Sequence, residues 1–411
     1  METTAALRNK NVLKIMKVVR KNPRISRPDI ARELKLSGAT VNALIAELVK
    51  RNIVIEEGLA DSDVGRKAFL YSFNKDFSHI ISINMLMGRI SIELYDMIGN
   101  RLSFGKDLLF DDGQKVEKTL YSLTDAISGL LSENHVPAKS VLGIGMSVPG
   151  RVDHELGVIC SLPNLRQWKN VPVKSLIEAE LGIPLILDRD TNANILYLKW
   201  DEFSEEKSNM IYASIVEGIG TGVIIDDAVY HGGHGLAGET GHTTIVHDGR
   251  MCNCGNRGCV ESYVSNKAII GSYFNELKAV GKDTAECEAV LGNRLEENKY
   301  ILTMAKRAID DDSHADVSFF QAVDYLKTFF VNIINSFDPE LLIIDCPWMK
   351  VNREYFNELV SGVFERVGLV GRNDIHIILN QTPDIFSKSP YILVIESLFT
   401  NISNSSLFTN I

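Results

Sequence analysis

Residues 241–261, GHTTIVHDGRMCNCGNRGCVE, constrain this chain more than any other stretch. Three cysteines fall within eight residues, a histidine stands ten residues before the first, and Glu239 and Glu261 bracket the run. Cys252, Cys254 and Cys259 with His242 supply four soft and borderline ligands, the number a tetrahedral zinc site takes. Gly255 and Gly258 would let the backbone fold tightly around an ion. Four protein ligands leave no position for an activated water, so the set points to a structural ion and not a catalytic one. A labile disulfide or a free-thiol cluster is the rival reading, and spacing alone does not separate His242 from His247. Cys160, Cys287 and Cys346 are isolated and read as core or surface thiols.

The rest of the chain decides what surrounds this clip. From about residue 76, strand-like runs (HIISINML, GRISIELYDM, SVLGIGMSVPGRVD, ELLIIDC) alternate with helical ones (VEKTLYSLTDAISGLLSEN, FFQAVDYLKTFFVNIINSF). IPLILDRDTNANILYLKW reads as strand, turn and helix, and NMIYASIVEGIGTGVIIDDAVYHG as a hairpin with a Gly-rich turn. That alternation predicts an α/β body. At 411 residues more than one domain is expected. The expected division is 1–75, 76–190 with a C-terminal helix over about 386–411, and 191–385 carrying the cysteine motif. The N-terminal METTAALRNKNV lacks the apolar segment of a leader, and no stretch approaches the roughly 20 apolar residues of a bilayer span. A soluble, cytoplasmic protein without membrane attachment is the expectation.

Charge separates the first 74 residues from the rest. They hold 14 Lys and Arg against 8 Asp and Glu, while the whole chain carries −10. A basic head on an acidic body suggests that the head alone meets a polyanion. In NPRISRPDIARELKLSGATVNALIAELVKRNIVIEEG, Ser26 and Ser37 are candidate N-caps of two helices. Val41, Leu44, Ile45 and Leu48 fall at i, i+3, i+4 and i+7 and should be buried. Thr40, Asn42 and Ala43 would then face outward, where a recognition helix meets base edges. IVIEEG and KAFLYSFN read as wing strands, with Arg66 and Lys67 at the wing's return. The result is a winged helix-turn-helix, with Arg27, Ser37, Thr40, Asn42, Ala43, Arg66 and Lys67 as candidate contacts to double-stranded DNA. Most basic residues there should touch phosphate.

GLAGETGHTTI followed by CNCGNRGCVES resembles the signature of the ROK family of repressors, uncharacterised reading frames and sugar kinases. SVPGRVD, SLPNLRQW, DRDTNAN, EGIGTGVII and FDPELLIID follow in the family's order. The resemblance implies an actin-like body of two lobes closing over a sugar cleft. It assigns His242, Cys252, Cys254 and Cys259 to zinc, and turns Glu239, His242 and Glu261 toward sugar hydroxyls. Asn164, Arg189 and Asp190 are the further effector contacts it implies. Carboxylates and an imidazole suit hydroxyl groups, and a metal clip would hold them in place.

The same resemblance separates an enzyme from a switch. Family kinases use an Asp in an Asn-Asp pair as base; here Asp190 stays but Arg189 replaces the Asn, leaving Asp190 as a vestigial base. Their phosphate loop is of Asp-x-Gly-Gly-Thr-Lys type, whereas NMLMGRI has Asn84, Leu86 and Met87 at the Asp and the glycines. Bulky side chains there obstruct the backbone approach that a phosphate needs. Asp345-Cys346 replaces a Gly-Gly, and Ser389, Pro390 and Tyr391 stand where small residues make room. Gly218 to Gly222 keep a Gly-rich turn. The expectation is a transcriptional regulator without catalytic residues, binding its operator as a homodimer or homotetramer and answering to a sugar. An active sugar kinase, and a regulator answering to a protein of the sugar-import system, are the alternatives. Arg189 and Arg151 could accommodate an anionic group on the sugar.

Overall fold

The computed structural model describes residues 4–60, 68–86, 88–111, 113–163, 165–203, 207–367 and 374–400. The head opens with helix α1 (Thr4–Lys21), whose Val12, Ile15, Met16, Val18 and Val19 are buried while Leu7 is 49% exposed. Strand β1 (Ile25–Ser26) leads into α2 (Arg27–Glu33), and α3 (Gly38–Lys50) follows. Each helix has a side-chain cap: Ser26 Oγ accepts the Asp29 N–H, and Ser37 Oγ accepts the Thr40 N–H. Val41, Leu44, Ile45 and Leu48 form the buried face of α3. The wing strands are β2 (Val54–Leu59) and β3 (Phe69–Phe73), and the sheet order is β1-β3-β2. β1, two residues long and paired to Leu70 and Tyr71, has no pattern of its own in the sequence.

The body continues with β4 (His79–Leu86), β5 (Arg89–Asp96), β6 (Arg101–Phe104), β7 (Leu108–Leu109), α4 (Val116–Glu133) and β8 (Val141–Val148). A small antiparallel sheet, β9 (Arg151–Asp153), β10 (Val158–Leu162) and β11 (Leu165–Val171), precedes α5 (Val173–Leu181) and β12 (Leu185–Arg189). Then come α6 (Asp190–Tyr197) and a π-helical turn, Leu198–Glu202. The main sheet runs β12-β8-β4-β5-β6: β4, β5 and β6 are antiparallel neighbours, and β4, β8 and β12 are parallel. Parallel β8 is buried along its whole length, the reason it reads as a continuous apolar run.

The second half repeats this plan. β13 (Met210–Ile215), β14 (Ile219–Ile225) and β15 (Ala228–Val229) are antiparallel; β16 (Leu341–Asp345) and β17 (His376–Leu379) extend β13 in parallel. Between them lie α7 (Glu261–Val264), α8 (Asn266–Ala279), α9 (Ala285–Val290), α10 (Arg294–Ile309) and α11 (Ser313–Phe337). After β16 come α12 (Pro347–Val351) and α13 (Arg353–Val367). Phe319, Phe329, Phe330, Trp348 and Tyr355 fill this half's core. The last described elements are α14 (Ile385–Lys388) and α15 (Pro390–Thr400).

Two compact units result: Met1–Glu202 with Asp384–Ile411, and Phe203–Pro383. Helix α6 therefore lies with the first unit, beyond the expected boundary at 190, because it packs on α15 and β12. The stretch expected to form one C-terminal helix, about 386–411, holds two separate helices, α14 and α15, and beyond residue 400 it lies outside the described residues. No helix among the described residues is long and apolar enough to cross a membrane.

Candidate metal, effector and DNA sites

The cysteine segment folds as a closed loop. Cys252 N–H bonds the Asn256 carbonyl at 2.8 Å and Gly255 N–H bonds the Cys252 carbonyl at 3.0 Å. Thr244 pairs with Cys259 and Met251 with Arg257 across the loop. Gly258 has φ +77°, and a Cβ there would lie 1.8 Å from the Val246 carbonyl oxygen, so a side chain cannot be accommodated. His242 arrives on a single turn, Thr240–His242. The ligating atoms of His242, Cys252, Cys254 and Cys259 all lie within 4.8 Å of one another, and the four could hold a metal ion. Cys252 Sγ is 3.6 Å from His242 Nδ1, and Cys254 Sγ is 3.7 Å from Cys259 Sγ. Burial pushes the Cys259 thiol up to about 12, reinforced by the neighbouring thiols. Burial also acts to raise Cys254, but bonding from the Asn256 backbone and from the other two cysteines brings it below its ordinary value. His247 is 95% exposed beside Asp248 and stands outside this group.

The candidate effector residues divide between the two units. In the second, His242 Nε2 lies 3.8 Å from Glu239 Oε2, so one imidazole faces the cysteines with one nitrogen and a carboxylate with the other. Glu261 opens α7 and accepts the Ile219 N–H at 3.1 Å, which ties it to the Gly218 turn. In the first unit, Arg189 is buried as the last residue of β12, and Asp190 is the first of α6. Asp188 fastens this junction by accepting the Arg189 N–H at 2.7 Å and Asn192 Nδ2 at 2.8 Å. Asp190 Oδ1 accepts the Thr191 N–H at 2.7 Å. Asn164 lies outside the described residues.

Several of the positions expected to depart from kinase patterns are engaged internally. Asn84 Oδ1 accepts the Ser147 hydroxyl at 3.0 Å, both residues buried. Leu86 is 37% exposed, and Met87 lies outside the described residues. Asp345, 3% exposed, accepts Tyr212 Oη at 2.8 Å and Asn380 Nδ2 at 3.0 Å, and pairs with Lys350 Nζ at 2.6 Å. Cys346 is fully buried, which pushes its thiol upward. Ser389 Oγ bonds Asn194 Oδ1 at 2.6 Å. On the Gly-rich turn, Glu217 is held by Arg294 at 3.3 Å and by Asn298 at 2.7 Å.

On the head, Ser37, Asn42 and Ala43 are exposed, whereas Thr40 is half-buried with its hydroxyl 2.8 Å from that of Ser37. Arg27 lies 4.8 Å over the Tyr71 ring and 3.5 Å from Asn42 Oδ1. Arg66 and Lys67 lie outside the described residues. Sequence reasoning missed Arg20. It sits among the Lys and Arg of α1 with no local signal, yet its partners are Asp201 and Tyr391.

A winged helix-turn-helix DNA-binding signature matches residues 8–55, and the ROK-family signature matches residues 111–379. The chain belongs to the ROK family. Among ROK relatives, the xylose repressor of Caldicellulosiruptor bescii is 32% identical over 340 residues, covering 82% of this chain and 83% of that one. The xylose repressor of Bacillus spizizenii is 30% identical over 358 residues, covering 86% of each. A solved ROK-family transcriptional regulator, described as a homologue of the E. coli MLC protein, aligns over 98% of both chains with a TM-score of 0.80 at 23% identity. That likeness is one of fold, head included.

Proposed function

We propose that this ROK protein is a sugar-responsive, DNA-binding transcriptional repressor, acting in the cytoplasm as a homodimer or homotetramer. The observation that carries the reading is the union, in one chain, of a winged head with a ROK body, along the length over which relatives named as repressors match it. Its operator would be a palindrome, since two-fold protein symmetry mirrors two half-sites. Asn42 and Ala43 are the candidate base readers of α3, with Arg27, Arg66 and Lys67 nearer phosphate. The candidate sugar contacts are Asp190 with Arg189 and Asn164 in the first unit, and Glu239, His242 and Glu261 in the second. The names of the relatives make D-xylose the effector to test. Mobility shifts on genomic operator fragments should show binding that D-xylose weakens. An undisturbed complex across pentoses, hexoses and their phosphates would exclude a sugar effector and favour a protein partner.

The kinase reading is the weaker one. A nucleotide phosphate needs bare backbone N–H groups, and this chain has Asn84 and Leu86 near one phosphate turn and the Glu217 carboxylate on the other. Asp345 adds a buried acid beside the expected nucleotide. Sugar-dependent ATP consumption that Asp190→Asn abolishes would restore that reading.

We further propose that the ion held by the cysteine loop is zinc. At a Zn–S distance of about 2.3 Å, a tetrahedral S···S edge is about 3.8 Å, which the 3.7 Å between Cys254 and Cys259 matches. Four protein ligands make it a clip. Glu239 Oε2, 3.8 Å from Nε2, stands on the side of the ring from which a ligating histidine is oriented, and a small closure would bring it to bonding distance. Metal analysis of purified protein should give about one zinc per chain, and Cys254→Ser should lower it.

A further inference from the structure

Arg20, one residue short of the end of α1, is a buried cation of the head, its side chain 6% exposed. It donates to Asp201 Oδ1 at 2.7 Å, to Tyr391 Oη at 2.8 Å and to the Ile98 carbonyl at 3.1 Å. Tyr391 Oη in turn donates to Asp201 Oδ2 at 2.6 Å, closing a triangle. The Tyr391 ring stacks on Tyr95 at 4.9 Å and meets Tyr197 edge-on. One turn earlier in α1, Lys17 Nζ sits 4.3 Å above Trp200, whose Nε1 bonds Glu396 at 2.6 Å. Gly99 leaves room for the arrangement: a Cβ there would stand 2.5 Å from Tyr391 Oη and 3.2 Å from an Arg20 nitrogen. Burial raises the Tyr391 phenol, so it stays neutral and Asp201 is the counter-charge of Arg20.

Trp200 and Asp201 belong to the π-helical turn that continues α6, and α6 begins at Asp190. One helical run of about 17 Å at about 1.5 Å per residue thus connects the first unit's candidate effector residue to the head's buried arginine. A π turn carries one residue more than an α turn and often marks a functional position. Its conversion to α-helix would rotate Asp201 by about 100° about the axis. Such a conversion would supply a second arrangement beside the observed one, the property a coupling element needs.

We infer that Asp190–Glu202 is the lever by which the effector site acts on the DNA-binding head, with Arg20, Asp201 and Tyr391 as its latch. The inference rests on Asp190 being an effector contact. With the latch closed, α1 has one orientation on the body and the heads one spacing; with Asp201 turned away, α1 is released and the spacing is lost.

The test uses the full chain, an operator fragment selected by it, and D-xylose as probe. Coupling of ordinary size would weaken operator binding roughly 5- to 150-fold in the unmodified protein. Asp201→Asn and Tyr391→Phe should still bind D-xylose within about twofold of the unmodified protein, while its effect on the operator falls below about twofold. Tyr391→Phe retains the ring on Tyr95, so it separates the hydroxyl from the packing. Variants that bind both partners and keep the full response would overturn the lever. If D-xylose does not bind the unmodified chain, the sugar assignment fails and the lever is judged without it, by hydrogen exchange. Asp201→Asn should then speed exchange in the last turn of α1 and in residues 195–202 together, leaving residues 210–225 unchanged. An unaltered α1 would overturn the lever on that ground alone.

Discussion

Ser37 shows what one side chain contributes. Its hydroxyl oxygen accepts the Thr40 N–H of α3 at 3.1 Å and contacts the Thr40 hydroxyl at 2.8 Å. Ser37→Ala should destabilise the head by about 1 kcal/mol, read as a lower denaturant midpoint of the DNA-binding transition. Both caps, Ser26 and Ser37, were legible because a cap is a local event: the acceptor lies three residues from the donor. The four metal candidates were legible for the same reason, all falling within residues 242–259, although only folding separates His242 from His247. Arg20 was not legible. Its partners lie 181 and 371 positions away, and nothing in the spacing of α1 sets it apart from Lys17 or Lys21. Truncation to Arg20→Ala should therefore cost more than a surface arginine would, about 3–5 kcal/mol as for other buried pairs. Urea unfolding of the first unit is the measurement.

At the scale of elements, the strands most readily read were the parallel ones, whose two covered faces give unbroken apolar runs. β8 and β16 are buried at every position. The short β1, the π turn after α6 and the allocation of α6 to the first unit were not visible, since each depends on what packs against it. The loop of residues 240–261 is closed by backbone bonds and two isolated bridges and has no long strand or helix, so the proposed ion would be its main cross-link. Stripping the metal with a chelator should lower the melting temperature and expose the three thiols of the cluster to a thiol reagent. Unchanged reactivity would mean the loop holds its shape without an ion. The end of β16 makes a further element-level prediction. Asp345→Gly leaves Lys350, Tyr212 and Asn380 without their common acceptor, so it should destabilise the second unit by a few kcal/mol and confer no ATP binding. Calorimetric titration with ATP would detect any exception.

For the whole molecule, the charge separation seen in the sequence governs association. A head with 14 basic residues in its first 74 should release counterions on DNA, so log affinity should fall linearly with log salt. A shift assay between about 50 and 200 mM salt would reveal it, and a flat response would remove the phosphate contacts. The two halves of the body have the same strand plan, three antiparallel neighbours followed by two parallel ones. The alternation of runs gave an α/β body, and the two lobes came from the family resemblance; the order of strands depends on which edges pair and was not legible. Nor was the path of the last helix. Helix α15 packs against β8, β4 and β12 and brings Tyr391 to Arg20. A ribosome therefore delivers the head first and its anchor last. A message cut short after the second unit would yield the head and the candidate effector residues without Tyr391, so the latch proposed above could not close and α1 would have no fixed orientation on the body. On that proposal, helix α15 arrives after both sheets have been made, and its docking is what sets the spacing of heads that were synthesised long before it.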